Sequence, residues 1–308
     1  MKLPLLVIAG PTGVGKTAAA VALGARVPIE IISADSRQVY RFMDAATGKP
    51  TAAERAAVRH HLVDIVDPDD RYQAARFRRD AAALVSAIHG RGRLAVVVGG
   101  TGLYIRALVR GLDPAPPADP ALREELAATA AREGREALHA RLAATAPDVA
   151  RRLHPRDQVR VMRALEKAAA GPRTEELWTR GAADYDVVCV GLTMAREALA
   201  ARLHERAAAM AKAGLAEEVE ALLARGYVPG LSALQGIGYR EFVQVVRGTL
   251  DVATATALMQ RDTVRYAKRQ LTWFAREPDI RWLEVSATAE GTETAGRIEE
   301  CVRQGGLH

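Results

Sequence analysis

Thiols are nearly absent from this chain: Cys189 and Cys301 are the only cysteines in 308 residues. Neither has a neighbour at metal-ligand spacing, and two cysteines cannot form a disulfide framework, which excludes a stapled secreted domain and a zinc ribbon. Cys189 lies inside an apolar run and reads as a core thiol. Long hydrophobic runs are also missing. No uninterrupted apolar stretch reaches the roughly 20 residues that span a bilayer. The first apolar run is short and leads straight into a glycine-rich loop, unlike a secretory signal. The expectation is a cytoplasmic protein without a membrane partner. Charge of one sign is only slightly in excess, 43 Lys+Arg against 37 Asp+Glu for a net +6. That balance suits a polyanionic partner and equally suits a solvated, arginine-rich surface.

What is present is a phosphate-binding loop, Gly10-Pro11-Thr12-Gly13-Val14-Gly15-Lys16-Thr17. It fits G-x-x-x-x-G-K-[ST], follows the apolar run Leu5 to Ala9, and precedes an alanine-rich helical stretch. That strand–loop–helix context is what the motif requires. The backbone N–H groups of such a loop wrap a phosphate chain, and the helix aims its positive end at the same anion. Lys16 adds a full charge, and the Thr17 hydroxyl is placed for Mg²⁺. Alone, the loop suggests ATP; strictly it calls for a ligand with two or more phosphates.

Further apolar runs at 29–33, 94–98, 187–192 and 280–285 alternate with helical patterns. This is the signature of an α/β fold with a mainly parallel sheet, here a P-loop NTPase-like core. The alternation breaks after Gly111 in a proline-rich connection, 112–120, and resumes at Val187. Residues 113–186 are therefore expected to form an inserted, all-helical lobe ending near Gly171-Pro172 and Gly181, with 1–112 and 187–308 forming the core. Amphipathic helical patterns run over 195–225, with Gly214 as a possible break and Gly226 as an end, and over 252–276. The segment from Ser286 starts small and polar, and the last residues are expected to fray.

In open α/β sheets ligands sit beyond the carboxyl ends of the strands. The strand at 29–33 delivers Asp35 there, as a water-mediated Mg²⁺ ligand, a general base, or simply a loop cap. The strand at 94–98 ends in Gly99-Gly100-Thr101-Gly102, without the acid that holds Mg²⁺ in NTP-hydrolysing relatives of this loop. That absence disfavours an ATPase and leaves room for a transferase that discards diphosphate. On the late helical pattern Arg261, Arg265, Lys268, Arg269 and Arg276 alternate with Tyr266, Trp273 and Phe274. Cations near rings suit a nucleic acid; Trp273 and Phe274 are instead expected to face the core.

These elements together closely resemble bacterial tRNA dimethylallyltransferases. The resemblance rests on the phosphate loop; Ser33-Ala34-Asp35-Ser36-Arg37-Gln38-Val39-Tyr40; His60-His61-Leu62-Val63-Asp64; and Val98-Gly99-Gly100-Thr101-Gly102-Leu103-Tyr104. It continues through Asp157 with Arg160 to Glu166, Gly236-Ile237-Gly238-Tyr239-Arg240-Glu241, and Tyr266-Ala267-Lys268-Arg269-Gln270-Leu271-Thr272-Trp273-Phe274. The family moves a dimethylallyl group from its diphosphate to N6 of the adenosine 3′ of the anticodon, in tRNAs reading codons that begin with U. The resemblance implies that Gly10 to Thr17 bind the diphosphate, with Mg²⁺ at Thr17. It makes Lys16, Thr17, Asp35, Thr101 and Arg206 catalytic, with Asp35 as the base. It assigns tRNA contacts to Asp35, Ser36, Arg37, Gln38, Thr101, Arg123, Val159, Arg160, Val161, Met162, Arg163, Gln235, Gly236, Ile237, Gly238, Tyr239 and Arg240. The lobe would grip the anticodon stem-loop, with the protein acting as a monomer. Val159 stands where the family commonly has Gln, and Gly13-Val14 where Ala-Ser is common. The cysteines of a C-terminal zinc finger are absent.

Three other functions fit parts of the chain. They are prenylation of free adenine nucleotides, phosphate transfer by a small-molecule kinase, and plain RNA binding with an idle phosphate loop. An arginine-rich insertion argues against the first. The missing acid after the strand at 94–98 argues against the second.

Overall fold

The computed structural model describes residues 2–112, 119–169 and 185–307. The chain divides into two compact units, Leu112–Arg180 and the remainder, Met1–Gly111 with Gly181–His308. The larger unit opens with β1 (Leu3–Ala9), α1 (Lys16–Gly24), β2 (Ile29–Ser33), α2 (Ala52–Ala57) and β3 (His60–His61). It continues with α3 (Ala74–His89), β4 (Leu94–Gly99) and α4 (Gly102–Arg110). The smaller unit holds α5 (Pro120–Glu133), α6 (Arg135–Thr145), α7 (Pro147–Ala150) and α8 (Gln158–Ala169). The larger unit resumes with β5 (Tyr185–Thr193), α9 (Arg196–Lys212), α10 (Leu215–Ala224), α11 (Tyr239–Val246), α12 (Val252–Phe274), β6 (Ile280–Glu284) and α13 (Gly291–Gln304).

The strands order β3-β2-β4-β1-β5-β6, and every pairing is parallel. Buried parallel strands must be apolar on both faces, and β1 meets that with Leu5, Leu6, Val7, Ile8 and Ala9 all inaccessible. The register sets the site. Ala9 lies opposite Gly99, and Ser33 opposite Val98, so β1, β2 and β4 end level with one another. The loops after them, at 10–17, 34–38 and 100–102, therefore emerge side by side.

The five expected strands are present as β1, β2, β4, β5 and β6, within a few residues. The two-residue β3 was not anticipated. Tyr185 and Asp186, expected in the insertion, pair instead with Leu3 and Pro4 in the sheet. The long helical pattern at 195–225 is broken where Gly214 takes φ +95° between α9 and α10, and Gly226 at φ +89° follows α10. The last described residues do not fray as expected. α13 buries Ala295, Ile298 and Val302, and Leu307 beyond it is 4% exposed.

The smaller unit has its own core of Leu126, Leu138, Leu142, Ala150, Val161 and Leu165. Asp119 starts α5 by accepting the N–H groups of Ala121 (2.9 Å) and Leu122 (3.2 Å), with Pro120 at the first helical position. The expected break at Gly171-Pro172 and Gly181, and the prolines at 114, 116 and 117, lie outside the described residues. Cys189 is half-buried, and burial pushes its thiol up to about 12, so it is inert. No helix among the described residues is long and apolar enough to cross a membrane.

Candidate functional site

Gly15 turns into α1 at φ +100° and Gly13 takes φ +78°, conformations that L side chains rarely adopt. Gly13 is also needed for space: a Cβ there would come within 2.6 Å of the Leu203 side chain on α9. Lys16 folds back over the loop. Its ammonium donates to the carbonyls of Gly10 (3.0 Å) and Pro11 (2.6 Å). An ammonium has three donors, so one remains for an anion. Burial lowers the Lys16 pKa to about 8, Asp35 opposes that shift, and Arg206 adds to it.

Asp35 leaves β2 beside the loop. Its Oδ1 accepts the N–H groups of Arg37 (2.8 Å) and Gln38 (3.4 Å), so this carboxylate does cap its own turn. Its Oδ2 has no hydrogen-bond partner among the described residues. One oxygen is structural and the other is available for chemistry.

Two cavities meet at Asp35. The loop-side cavity, about 620 Å³, is walled by Thr12, Gly13, Gly15, Lys16 and Thr17 with Gln38, Arg202 and Gln270. The helix-side cavity, about 320 Å³, is walled by Ser36, Arg37, Gln235, Gly236, Ile237 and Arg240 with Tyr266 and Arg269. Asp35 and Arg206 are the charged residues that line both. Arg206 has no carboxylate within ion-pair distance among the described residues. Burial lowers its pKa, and the charge of Asp35 opposes this. Its guanidinium lies against Gly48, where a Cβ would be 1.7 Å from Nη2.

The remaining expected site residues fall into distinct places. Within the phosphate loop, Val14 is 2% exposed and packs in the core, and Gly10 and Pro11 are also buried. Thr101 lines neither cavity. Its hydroxyl accepts from Ser36 N–H (3.1 Å), holding the wall from behind. Burial is the main cause that raises the Tyr266 hydroxyl to about 12. Arg37 spends its guanidinium on the Ser232 carbonyl (2.6 Å), tying down the segment before α11. Gln38 bridges Ser33 Oγ and the Gly48 carbonyl, each at 2.8 Å. Tyr239 is 1% exposed and donates to Glu218 (2.5 Å), which places it in the framework. Gly238 is buried as well, and its N–H donates to Glu241 Oε2 (2.7 Å). Arg240 pairs with Glu241 and Asp262. In the smaller unit Arg123 and Arg163 both pair with Glu166, which is 3% exposed. Val161 is buried in that unit's core and Met162 packs against it, whereas Val159 and Arg160 are exposed. Arg160 lies 3.5 Å from Asp157.

Gln270 was not among the expected site residues. Its Oε1 accepts Thr12 N–H (2.8 Å) and its Nε2 donates to the Gly100 carbonyl (2.9 Å), so it joins the two glycine-rich loops. The signal was a polar residue on the inner face of an amphipathic helix, between Ala267 and Phe274. As expected, Phe274 is buried; Trp273 packs on Gly102, where a Cβ would be 2.2 Å from the indole.

Thr17 lines the loop-side cavity, and its hydroxyl makes no hydrogen bond with the described residues. No group of three or more His, Cys, Asp or Glu side chains among the described residues could cage a metal. A single hydroxyl, completed by phosphate oxygens and water, is the donor set Mg²⁺ accepts in phosphate sites.

The chain matches the family model described as IPP transferase over residues 38–277, and that described as isopentenyl transferase over residues 3–67. It is 49% identical to tRNA dimethylallyltransferase 1 of Syntrophotalea carbinolica, covering 91% of each chain. It is 49% identical to the tRNA dimethylallyltransferase of an Anaeromyxobacter species, covering 96% of this chain and 98% of that one. Among solved structures, it resembles the tRNA isopentenylpyrophosphate transferase of Bacillus halodurans. There the TM-score is 0.71 at 38% identity, covering 98% of this chain and 99% of the other.

Proposed function

The chain belongs to the IPP transferase family of prenyl-transferring enzymes, and we propose that it moves a dimethylallyl group from dimethylallyl diphosphate to N6 of an adenosine in tRNA, releasing diphosphate. The acceptor is the adenosine 3′ of the anticodon in tRNAs that read codons beginning with U. The observation that carries this reading is Asp35 on the seam between two cavities, one walled by a phosphate loop and one by cations and an aromatic ring.

The N6 lone pair is delocalised into the purine, so the allylic carbon must become strongly electrophilic before it is attacked. In the loop-side cavity Lys16 and Arg206 hold the diphosphate and stabilise the charge that grows on it as the C1–O bond breaks. Thr17 would hold Mg²⁺, which when bound neutralises further charge on the diphosphate oxygens. N6 enters from the helix-side cavity and forms the new N–C1 bond. Its proton goes to Asp35 Oδ2, while Oδ1 stays in the turn that fixes the carboxylate. Tyr266, beneath Arg269 at 5.6 Å, offers a face on which a flipped-out base can stack. A single-stranded anticodon loop makes that flip cheaper than a duplex would. In the smaller unit the exposed side chains of Arg151, Arg152, Arg156 and Arg160 offer cations to RNA backbone phosphates.

The test supplies dimethylallyl diphosphate together with an anticodon stem-loop, AMP or ATP, and follows diphosphate release. Release that depends on the stem-loop supports the reading. Release with AMP alone makes the enzyme a free-nucleotide prenyltransferase. Phosphate transfer from ATP makes it a kinase.

A further inference from the structure

Helix α12 is shared by the two cavities. Thr263, Tyr266 and Arg269 line the helix-side cavity, and Gln270, on the same rigid helix, lines the loop-side cavity. Gln270 is 6% exposed, and both ends of its amide are used. Oε1 takes the N–H of Thr12, within the phosphate loop, and so fixes which way that peptide faces. Nε2 takes the Gly100 carbonyl, on the loop after β4. Gly100 has no side chain because none fits: a Cβ would come within 2.1 Å of Gln270 Nε2. A side-chain amide both donates and accepts in one plane. Glutamate at this position would set a second acceptor against the Gly100 carbonyl, and methionine would leave the half-buried Thr12 N–H without this partner.

We propose that Gln270 is a positioning residue that couples the acceptor's grip on α12 to the shape of the diphosphate-binding loop. The proposal rests on the transferase reading for the identity of the acceptor. RNA held by Tyr266 and Arg269 restrains α12, Gln270 moves with the helix, and Thr12 and Gly100 are held in the geometry that binds diphosphate. The allyl donor is then held tightest when its acceptor is in place, and water finds less donor to attack in the absence of RNA. Two sites linked in this way affect one another reciprocally, with couplings of about 5- to 150-fold.

The experiment measures binding of inorganic diphosphate with Mg²⁺, by calorimetry, with and without the anticodon stem-loop. It uses wild type, Gln270→Met and Gly100→Ala, and requires no turnover. Wild type is expected to bind diphosphate at least about fivefold more tightly when the stem-loop is present. Gln270→Met is expected to bind diphosphate about tenfold more weakly, to lose that tightening, and to keep its stem-loop affinity within about twofold. Gly100→Ala should give the same pattern from the other side of the clamp, and it decides the matter if Gln270→Met does not fold. Wild type without coupling would overturn the proposal, as would a folded variant that retains both coupling and affinity. Coupling in wild type without allyl transfer would leave the clamp standing and overturn the transferase reading instead.

Discussion

Asp35 and Arg206 share the seam of the site, where the carboxylate faces both cavities and the guanidinium lacks an ion-pair partner among the described residues. Because Asp35 Oδ1 also holds the turn to Arg37 and Gln38, alanine there would remove two functions at once. An asparagine in its place keeps an oxygen for the turn and cannot take a proton. Asp35→Asn is expected to slow the chemical step about a hundred- to ten-thousand-fold while stem-loop affinity stays within a few-fold. Single-turnover kinetics beside filter binding read this directly. Normal turnover with weakened RNA binding would remove Asp35 from the role of base.

Lys16 gives the site a pH dependence. Its pKa is lowered from 10.5 to about 8, chiefly by burial, so the folded protein binds fewer protons there than the unfolded chain. Without ligand, the cost of that burial is fully present below about pH 8 and is relieved as pH rises through 8 toward 10.5. Anion binding needs the protonated form. Diphosphate affinity should therefore fall up to about tenfold between pH 7 and 9, beyond any change in the ionisation of diphosphate itself. Lys16→Met should bind weakly with a flat profile, and titration calorimetry across that range compares the two.

Arg123 was expected on tRNA, and the structure commits its guanidinium to Glu166 together with that of Arg163. Both arginines hold the buried Glu166 carboxylate ionised, against the desolvation that would raise its pKa. Glu166→Gln should destabilise the smaller unit by roughly 1–3 kcal/mol and leave diphosphate affinity unchanged. Limited proteolysis within 112–180 reports the loss. Arg123→Ala should likewise lose RNA affinity and unit stability together. Lost affinity at unchanged stability would place Arg123 on the RNA itself.

Cations on α11 and α12 differ in how free they are. Lys268 and Arg269 are exposed without an ion pair among the described residues, whereas Arg240 is held by Glu241 and Asp262. Lys268→Ala and Arg269→Ala should each lower the slope of log affinity against log salt by about 0.7–1. Arg240→Ala should lower it far less. Equal slopes in all three would mean that the RNA pulls Arg240 out of its pairs.

Much of this was legible along the chain, because it depends on local pattern. Continuous apolar runs mark β1, β2, β4 and β5, and the glycine spacing of the phosphate loop dictates its backbone. β3 escaped because two residues carry no period. α13 escaped because Ser286 to Glu293 is small and polar and hides the apolar spacing of Ala295, Ile298 and Val302. The site was read at its local parts and not at its long-range ones. Gln270 meets Thr12 across 258 positions, Arg37 meets Ser232 across 195, and Arg123 meets Glu166 across 43. Spacing identifies a cation or an amide; it does not say which distant group consumes it.

In the proposed reaction the phosphates held at Lys16 are discarded and the carbon chain is delivered past Asp35. Mass spectrometry of anticodon stem-loop fragments, after reaction with dimethylallyl diphosphate, tests it most directly. One added dimethylallyl group on the adenosine 3′ of the anticodon, absent in Asp35→Asn, is the predicted result. Unmodified RNA beside prenylated AMP, or RNA that gains a phosphate from ATP, would contradict it.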